Sequence, residues 1–167
     1  NYGNVRMTAD GNSLLRAQTT IHAAGGNLGS EDVPFVINYD GTAVPVITDA
    51  KNIYLTSDGE VLELKLSADS SEPVNLSVTD AKAIIDVYNA SEIDLISTED
   101  AEINDYTEGR LAVRASGSNL TINIGAKSSV DVTAAMSGRV NVKTLADVLD
   151  AYVNMLEGAF DTAANRQ

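Results

Sequence analysis

The chain has 167 residues, no cysteine, no tryptophan and a formal net charge of −13. Its length suits one domain or one domain with an appendage. The lack of cysteine excludes disulfides, thiolate metal sites and a cysteine nucleophile. A surface this negative repels phosphate backbones and anionic lipids, so we expect no nucleic acid and no membrane among its partners, and a basic partner would suit it.

The first thirty residues, Asn1–Ser30, have the composition of an N-terminal arm or linker. They contain an Asp-Gly-Asn turn signal at 10–12 and a small, glycine-rich stretch at 23–30. That stretch lacks the lysine and hydroxyl residue of a phosphate-binding loop. The arm is expected either to become ordered against a partner, as an anchor would, or to be a mobile terminus.

The body, residues 31–143, is predicted to be mainly β. Asp-Gly pairs at 40–41 and 58–59 each separate two short apolar runs, which favours two hairpins. Pro45 lies inside one run and favours an edge strand. Between 62 and 66, leucines alternate with Glu63 and Lys65, so the leucines should face the core.

From Val74 to Val142, short apolar runs recur about every ten residues. Small or polar residues separate them. The runs begin at Val74, Ile84, Ile93, Ile103, Leu111, Leu120, Val130 and Val140.

This rhythm is typical of two architectures, a β-sandwich and a short-strand β-solenoid. The strands are short and their corners lack strong hairpin pairs, which favours the solenoid. A single slender body with few aromatic residues would bury little apolar surface on its own, and three intertwined copies would bury more. Both architectures remain open at this point.

The apolar period changes at residue 144 and predicts a C-terminal α-helix within 144–167. Thr144 can cap this helix, and Asp147 favours its positive end. Residues at three- and four-residue spacing form one apolar stripe, which could pack on the body or meet other copies as an oligomer interface. The stripe comprises Leu145, Val148, Leu149, Tyr152, Met155, Leu156 and Phe160.

The sequence offers little chemistry, so we expect no catalytic residue, no cofactor and no metal centre. His22 is the only histidine and has no partners for a triad or a zinc site. The acidic stretch between 83 and 109 could supply a glycosidase carboxylate pair, but its residues lie mostly at outward positions in polar surroundings. Calcium could bind residues 99–105 by chemistry alone, although the spacing matches no calcium motif. The candidate ligands are Glu99, Asp100, Glu102 and Asp105.

Short strands rich in Ser, Thr and Asn at ten-residue spacing, a loose arm and a C-terminal helix together resemble bacteriophage virion proteins. The virion proteins that it resembles are trimeric head fibres, capsid decoration proteins and tail-fibre segments. The resemblance covers residues 74–142 and 144–164. It implies a homotrimer on a virion, bound to a capsid or tail protein through the arm. The alternative is an adhesin- or pilus-like module, cell-surface or secreted, that binds a host glycan or a protein.

Overall fold

The computed structural model describes residues 20–23, 26–37, 44–57, 59–68, 73–144 and 150–153. Within these ranges the chain forms fifteen strands and no helix. The strands are β1 (Thr20–His22), β2 (Asn27–Leu28), β3 (Phe35–Ile37), β4 (Val46–Thr48), β5 (Asn52–Ser57), β6 (Val61–Ser67), β7 (Val74–Thr79), β8 (Lys82–Asn89), β9 (Glu92–Ser97), β10 (Ala101–Asp105), β11 (Arg110–Gly117), β12 (Leu120–Ile124), β13 (Ser129–Met136), β14 (Val140–Thr144) and β15 (Asp150–Val153).

These strands form two parallel sheets, and from β4 onward consecutive strands alternate between them. Sheet 1 has the order β1, β4, β6, β8, β10, β12, β14. Sheet 2 has the order β15, β13, β11, β9, β7, β5, β2, and β3 also pairs with β5. One odd strand and the even strand after it therefore make one coil of a β-solenoid-like body. The mainly β prediction is confirmed, and of the two architectures the structure has the solenoid-like one.

The ten-residue rhythm of the sequence corresponds to half a coil. Leu76 of β7 pairs with Leu95 of β9, and Ile103 of β10 pairs with Ile122 of β12. Both pairs are nineteen residues apart, which is two steps of the rhythm. Each apolar run thus stacks on the next run but one, because its immediate successor lies in the opposite sheet.

The two predicted hairpins are wrong. β3 lies in sheet 2 and β4 in sheet 1, and β5 and β6 are likewise in opposite sheets. An Asp-Gly pair favours a tight change of direction, but it does not decide whether the next strand joins the same sheet or crosses the core. Pro45 is buried directly before β4, which has neighbours on both sides, so the edge-strand prediction is also wrong.

The core lies between the sheets and consists of stacked aliphatic side chains. Leu62, Leu64 and Leu66 are fully buried while Glu63 and Lys65 face outward, as the alternation predicts. Along sheet 1, Leu64 begins a central row that continues through Ile85, Ile103 and Ile122. Burying one such side chain contributes about 1.5–3 kcal/mol relative to its exposed state. A single chain fills this core, so the burial that we assigned to three intertwined copies does not require them.

Part of the predicted arm belongs to this body. Residues 20–22 pair with β4, and residues 27–28 pair with β5, where Leu28 is fully buried. Gly29 follows with φ +74°, and a Cβ there would lie 2.6 Å from the Tyr54 carbonyl oxygen. Gly29 therefore forms a tight corner of the body, and this part of the glycine-rich stretch is not a linker. Residues 1–19 of the arm lie outside the described residues.

The predicted C-terminal helix also lies mostly outside the described residues. Its described part, Asp150–Val153, is a strand instead, paired in parallel with Ser129–Val132 of β13. Thr144, the expected cap, is the last residue of β14. The helical period does not hold for these four residues because β13 offers a row of backbone donors and acceptors that a further strand can pair with.

Candidate functional site: the outer face of sheet 1

A row of amide and carboxylate side chains crosses the outer face of sheet 1. Asp86, Asn104 and Asn123 occupy the same register position in β8, β10 and β12. Asn104 Nδ2 donates to Asp86 Oδ1 at 2.8 Å, and Asn123 Nδ2 donates to Asn104 Oδ1 at 2.7 Å. Because each side chain bonds its counterpart one coil away, this polar row also ties the coils together.

Glu102 extends the polar row to one side. Its Oε1 accepts a hydrogen bond from Asn123 Nδ2 at 3.1 Å, and its Oε2 lies 3.6 Å from the ammonium of Lys82. The carboxylate is therefore held between a neutral donor and a cation. Its contacts give this face side chains in defined positions, as a binding surface requires.

Two tyrosines stand beside the polar row, where β8 and β10 reach the corner of the coil. The rings of Tyr88 and Tyr106 are stacked, with centroids 5.2 Å apart and planes 12° apart. They remain 47 % and 44 % exposed, so the stack is a surface feature and not part of the core. Desolvation, then the charge of Asp86 and the neighbouring Tyr88, raises the pKa of Tyr106, so its hydroxyl stays protonated and can donate.

The outer face of sheet 2 carries a second amide ladder near its N-terminal end. Asn52 Nδ2 donates to Asn27 Oδ1 at 2.6 Å, and Asn75 Nδ2 donates to Asn52 Oδ1 at 2.7 Å. The three asparagines pair in register across β2, β5 and β7. This ladder connects coils as the polar row of sheet 1 does, but Tyr54 of β5 has no stacked aromatic partner among the described residues.

Toward the C-terminal end, sheet 2 replaces amides with ion pairs. Arg114 lies 2.8 Å from Glu92 and 3.9 Å from Asp94, and Arg110 pairs with Asp131. Arg114 also borders a shallow depression. Ile96 lies in this depression with 59 % of its surface exposed.

Asp105 is the one member of the acidic stretch that is fully buried. Its Oδ1 accepts the Thr107 N–H at 2.9 Å, and Oδ2 has no partner within the described residues. Burial raises the pKa of this carboxyl, although the hydrogen bond from Thr107 acts against the increase. The expectation of polar surroundings is wrong here, because the alternation that buries Ala101 and Ile103 also turns Asp105 inward. Full burial makes it inaccessible to a substrate.

The other candidate calcium ligands do not converge with Asp105. Glu99 and Asp100 are exposed on the corner before β10, and Asp100 accepts a hydrogen bond from Asn119. Glu102 lies on the outer face of β10, opposite in direction to Asp105. Within the described ranges, no three His, Asp or Glu side chains are grouped so that they could hold a metal ion.

His22 lies at the end of β1, with its side chain 60 % exposed. Its Nδ1 is 3.0 Å from the Thr48 hydroxyl and 2.9 Å from the Asp49 carboxylate. These neighbours belong to the adjacent coil, so the contacts fix the position of the N-terminal strand. In sheet 1, β4 and β6 separate His22 from β8, where the polar row begins.

The proposed interface stripe cannot be placed on the body. Tyr152 lies in β15, and the other stripe residues lie outside the described part of the chain. These others are Leu145, Val148, Leu149, Met155, Leu156 and Phe160. In the described residues there is also no helix with the length and apolar character needed to span a membrane.

Sequence reasoning missed the polar row and the tyrosine pair. Their members are eighteen or nineteen residues apart, so neither is visible as a local motif. A signal was present, since Asp86, Asn104 and Asn123 each lie one residue after an inward isoleucine of the rhythm. If two steps of the ten-residue rhythm had been interpreted as one coil, the three polar residues would have been aligned at the same position of successive coils.

Comparison with known proteins assigns no family to this arrangement. No family model matches the chain, and neither the curated proteins nor the solved structures include a significant match.

Proposed function

We propose that the chain is a non-enzymatic structural protein of a virion, either a capsid decoration protein or a segment of a fibre. The observation that carries this proposal is the continuous parallel stacking of coils, from β1 to β14 in sheet 1 and from β2 to β15 in sheet 2. Such stacking gives a quasi-one-dimensional body in which each coil contacts its neighbours. A body of this kind is suited to project from a surface or to cover it.

The side chains on the outer faces support a mechanical role. The polar row of sheet 1 and the asparagine ladder of sheet 2 add side-chain hydrogen bonds to the backbone bonds between coils. Each bond contributes about 0.5–1.5 kcal/mol, so several in series oppose separation of the coils. The net charge of −13 keeps neighbouring rods apart and favours a basic attachment surface.

Attachment and assembly complete the proposal. Residues 1–19 would anchor the body to a capsid or tail protein, since residues 20–22 and 27–28 belong to the solenoid-like body itself. The apolar residues of the stripe on either side of β15 would join three copies into a homotrimer: Leu145, Val148, Leu149, Met155, Leu156 and Phe160. A stripe of this kind, presented by three chains, would be buried around a symmetry axis.

The mass of the full chain in solution tests the assembly. Mass photometry should find about three times the chain mass of 17.6 kDa. The double variant Leu149→Asp with Leu156→Asp should reduce this to one chain mass, because two charges would enter the shared apolar contact. Asn154→Asp, outside the stripe, is the matched control and should leave the trimer intact. A stable wild-type monomer would contradict the trimer.

Removal of residues 1–19 tests the anchor. The shortened chain should keep its β-sheet circular dichroism spectrum but no longer sediment with virions. Sedimentation equal to that of the full chain would refute the anchoring role.

A cell-surface or secreted binding module is the second candidate. The exposed tyrosine pair favours it, because large exposed aromatic side chains beside fixed polar groups are typical of binding surfaces. Antibody labelling distinguishes the two candidates: label on virions supports the structural protein, and label on the producing cell or in its medium supports the module.

A further inference from the structure

The tyrosine pair and the polar row lie next to each other on the outer face of sheet 1. Tyr88 follows Asp86 by two residues, and Tyr106 follows Asn104 by two residues. Two residues along a strand span about 7 Å and return to the same face. The stacked rings and the hydrogen-bonding side chains therefore form one continuous surface, which we call the tyrosine shelf: Asp86, Tyr88, Asn104, Tyr106 and Asn123.

The next coil leaves one face of the Tyr106 ring uncovered. Asp105 pairs with Ile124, so the residue opposite Tyr106 in the next coil is Gly125. The Gly125 N–H donates to the Asp105 carbonyl oxygen at 3.0 Å, and a Cβ on Gly125 would lie 2.8 Å from that oxygen. The close backbone contact thus requires glycine at this position. As a result the row reads Tyr88, Tyr106, glycine, so no side chain at this position of the next coil continues the stack. We call the position beside the exposed Tyr106 ring the notch.

The polar row retains hydrogen-bonding capacity beyond its own bonds. The bond between Asn104 and Asp86 uses one of two carboxylate oxygens and one of two amide hydrogens. Asn123 directs its amide nitrogen to Asn104 and Glu102, which leaves its oxygen as an acceptor. Acceptors and a donor therefore alternate along the solenoid axis, at the strand spacing of about 4.8 Å.

A sugar ring matches this combination of groups. A pyranose has a face of C–H bonds, which packs against the electron-rich face of an aromatic ring, and a rim of hydroxyls that both donate and accept. The same register position carries Lys65 in β6 and Lys143 in β14, beyond Asp86 and Asn123. These two lysines flank the shelf, and the net charge of −13 and Asp86 within the shelf act against an acidic glycan. A basic peptide would be expected to select carboxylates, whereas two of the three row members are amides.

We propose that the tyrosine shelf binds a neutral oligosaccharide. One pyranose stacks in the notch on the free face of Tyr106, and the hydroxyls of the chain bond to Asp86, Asn104 and Asn123 along the solenoid axis. This site is independent of the proposed virion function, since it exists in a single chain and requires neither the arm nor the trimer.

A glycan array carrying neutral, sialylated and sulfated oligosaccharides tests the ligand class with the labelled full chain. Neutral glycans should bind and the acidic glycans should not. No binding to any neutral glycan, or binding confined to acidic glycans, would overturn the proposal.

Titration calorimetry with the best neutral glycan of the array then tests the site. Tyr106→Ala should weaken binding at least tenfold, and Asn104→Ala severalfold, whereas Tyr106→Phe should keep most of the affinity because the ring remains. Tyr54→Ala, on the outer face of sheet 2, is the matched control and should bind as the wild type does. Equal affinity in Tyr106→Ala and wild type would refute the shelf.

Two further measurements distinguish loss of the sugar contact from unfolding, and a glycan site from a basic-peptide site. Thermal unfolding of Tyr106→Ala should give a midpoint well above the temperature of the titration, as for Tyr106→Phe, Tyr54→Ala and the wild type, so its loss of binding does not reflect unfolding. Hexalysine, titrated in place of the glycan, should not bind at the shelf. The proposal would be overturned if hexalysine displaced the glycan and if hexalysine binding were weakened by Asp86→Asn but not by Tyr106→Ala. That result would assign the surface to a basic peptide.

Discussion

The strand centres and the corners of the solenoid bury different kinds of side chain. At the centres, rows such as Leu64, Ile85, Ile103 and Ile122 are entirely aliphatic. The buried polar side chains of the described ranges all lie at strand ends or in corners: Ser57, Ser97, Asp105, Thr107 and Ser128.

This difference follows from where backbone groups find their partners. In the strand centres, each N–H and C=O bonds to the neighbouring coil, and a buried polar side chain would have no partner left. At corners the backbone leaves the ladder, so a side chain is needed. Asp105 accepts the N–H of Thr107, and Ser128 donates to the Thr107 carbonyl. The stability of the fold should therefore fall when a strand-centre side chain is made smaller. At the corners, it should change when a side chain crowds the backbone or when a charge is altered.

The largest effect is expected at a strand centre. Ile85→Ala removes a fully buried side chain from the central row and should lower the free energy of unfolding by about 2–5 kcal/mol. Ile84→Ala, one residue earlier on the outer face, should lower it by about 1 kcal/mol or less. Urea unfolding followed by circular dichroism measures both. Equal losses would mean that the two faces of β8 are not distinct.

A corner should be sensitive to one methyl group where the backbone is crowded. Gly117 has φ +146°, and a Cβ there would collide with the backbone oxygen of Ser97. Gly117→Ala should therefore lower the free energy of unfolding by about 1–3 kcal/mol.

Gly109 is the matched control, since a Cβ there would meet nothing within 4 Å. Gly109→Ala should change the free energy of unfolding by about 0.5 kcal/mol or less in the same urea experiment. A comparable loss of unfolding free energy in both variants would show that the corners need glycine for its backbone flexibility and not because a Cβ would collide with the neighbouring coil.

A smaller, pH-dependent effect is expected at Asp105. Burial raises the pKa of this carboxyl in the folded chain above its unfolded value of about 3.9. The folded state therefore binds the proton more tightly, so the stabilisation is present below the unfolded pKa and is lost as pH rises through the folded pKa.

Asp105→Asn removes this titration and keeps an oxygen that can accept the Thr107 N–H. Relative to the wild type, this variant should gain stability between about pH 3 and about pH 7. Urea midpoints across that range measure the gain, and Glu99→Gln, an exposed acid, serves as the control. A constant difference between Asp105→Asn and wild type would contradict a raised pKa.

The smallest effect is expected at an exposed corner pair. Lys127 Nζ lies 2.9 Å from Glu108 Oε1, and this hydrogen bond lowers the pKa of Glu108. Both side chains are largely in water, where an ion pair contributes little to stability and salt screens it. Lys127→Ala should leave the urea midpoint unchanged at high and low salt. A clear loss at low salt alone would show that this corner depends on charge.

The alternation of the sequence predicts which residues are buried, but it does not predict how the strands connect. Leu62, Leu64 and Leu66 face inward in either a sandwich or a solenoid, because period two is common to both. The partner of β6 depends on whether the chain turns within one sheet or crosses the core. The Asp-Gly signal at 58–59 allows both, and for that reason the hairpin prediction failed.

Sites formed between coils are hidden from the sequence for the same reason. Tyr88 and Tyr106 become neighbours only when β8 and β10 are aligned, two steps of the rhythm apart. The position of Asp105 was accessible in principle, since Ala101, Ile103 and Asp105 follow one alternation. The acidic stretch was assigned as a whole to polar surroundings and mostly outward positions, although residue type is a weaker guide than strand period at the end of a strand.

The in-register pairing of β7 with β9 bears on how such a chain can be inherited. Leu76 and Leu95 are counterparts one coil apart, so loss of the nineteen residues that separate them would bring equivalent positions together. Every remaining row would keep its neighbours, whereas loss of one residue within a strand would invert its inward and outward faces. Unequal recombination between repeated coding segments could therefore change the length of the rod in whole coils, while selection would remove intermediate lengths.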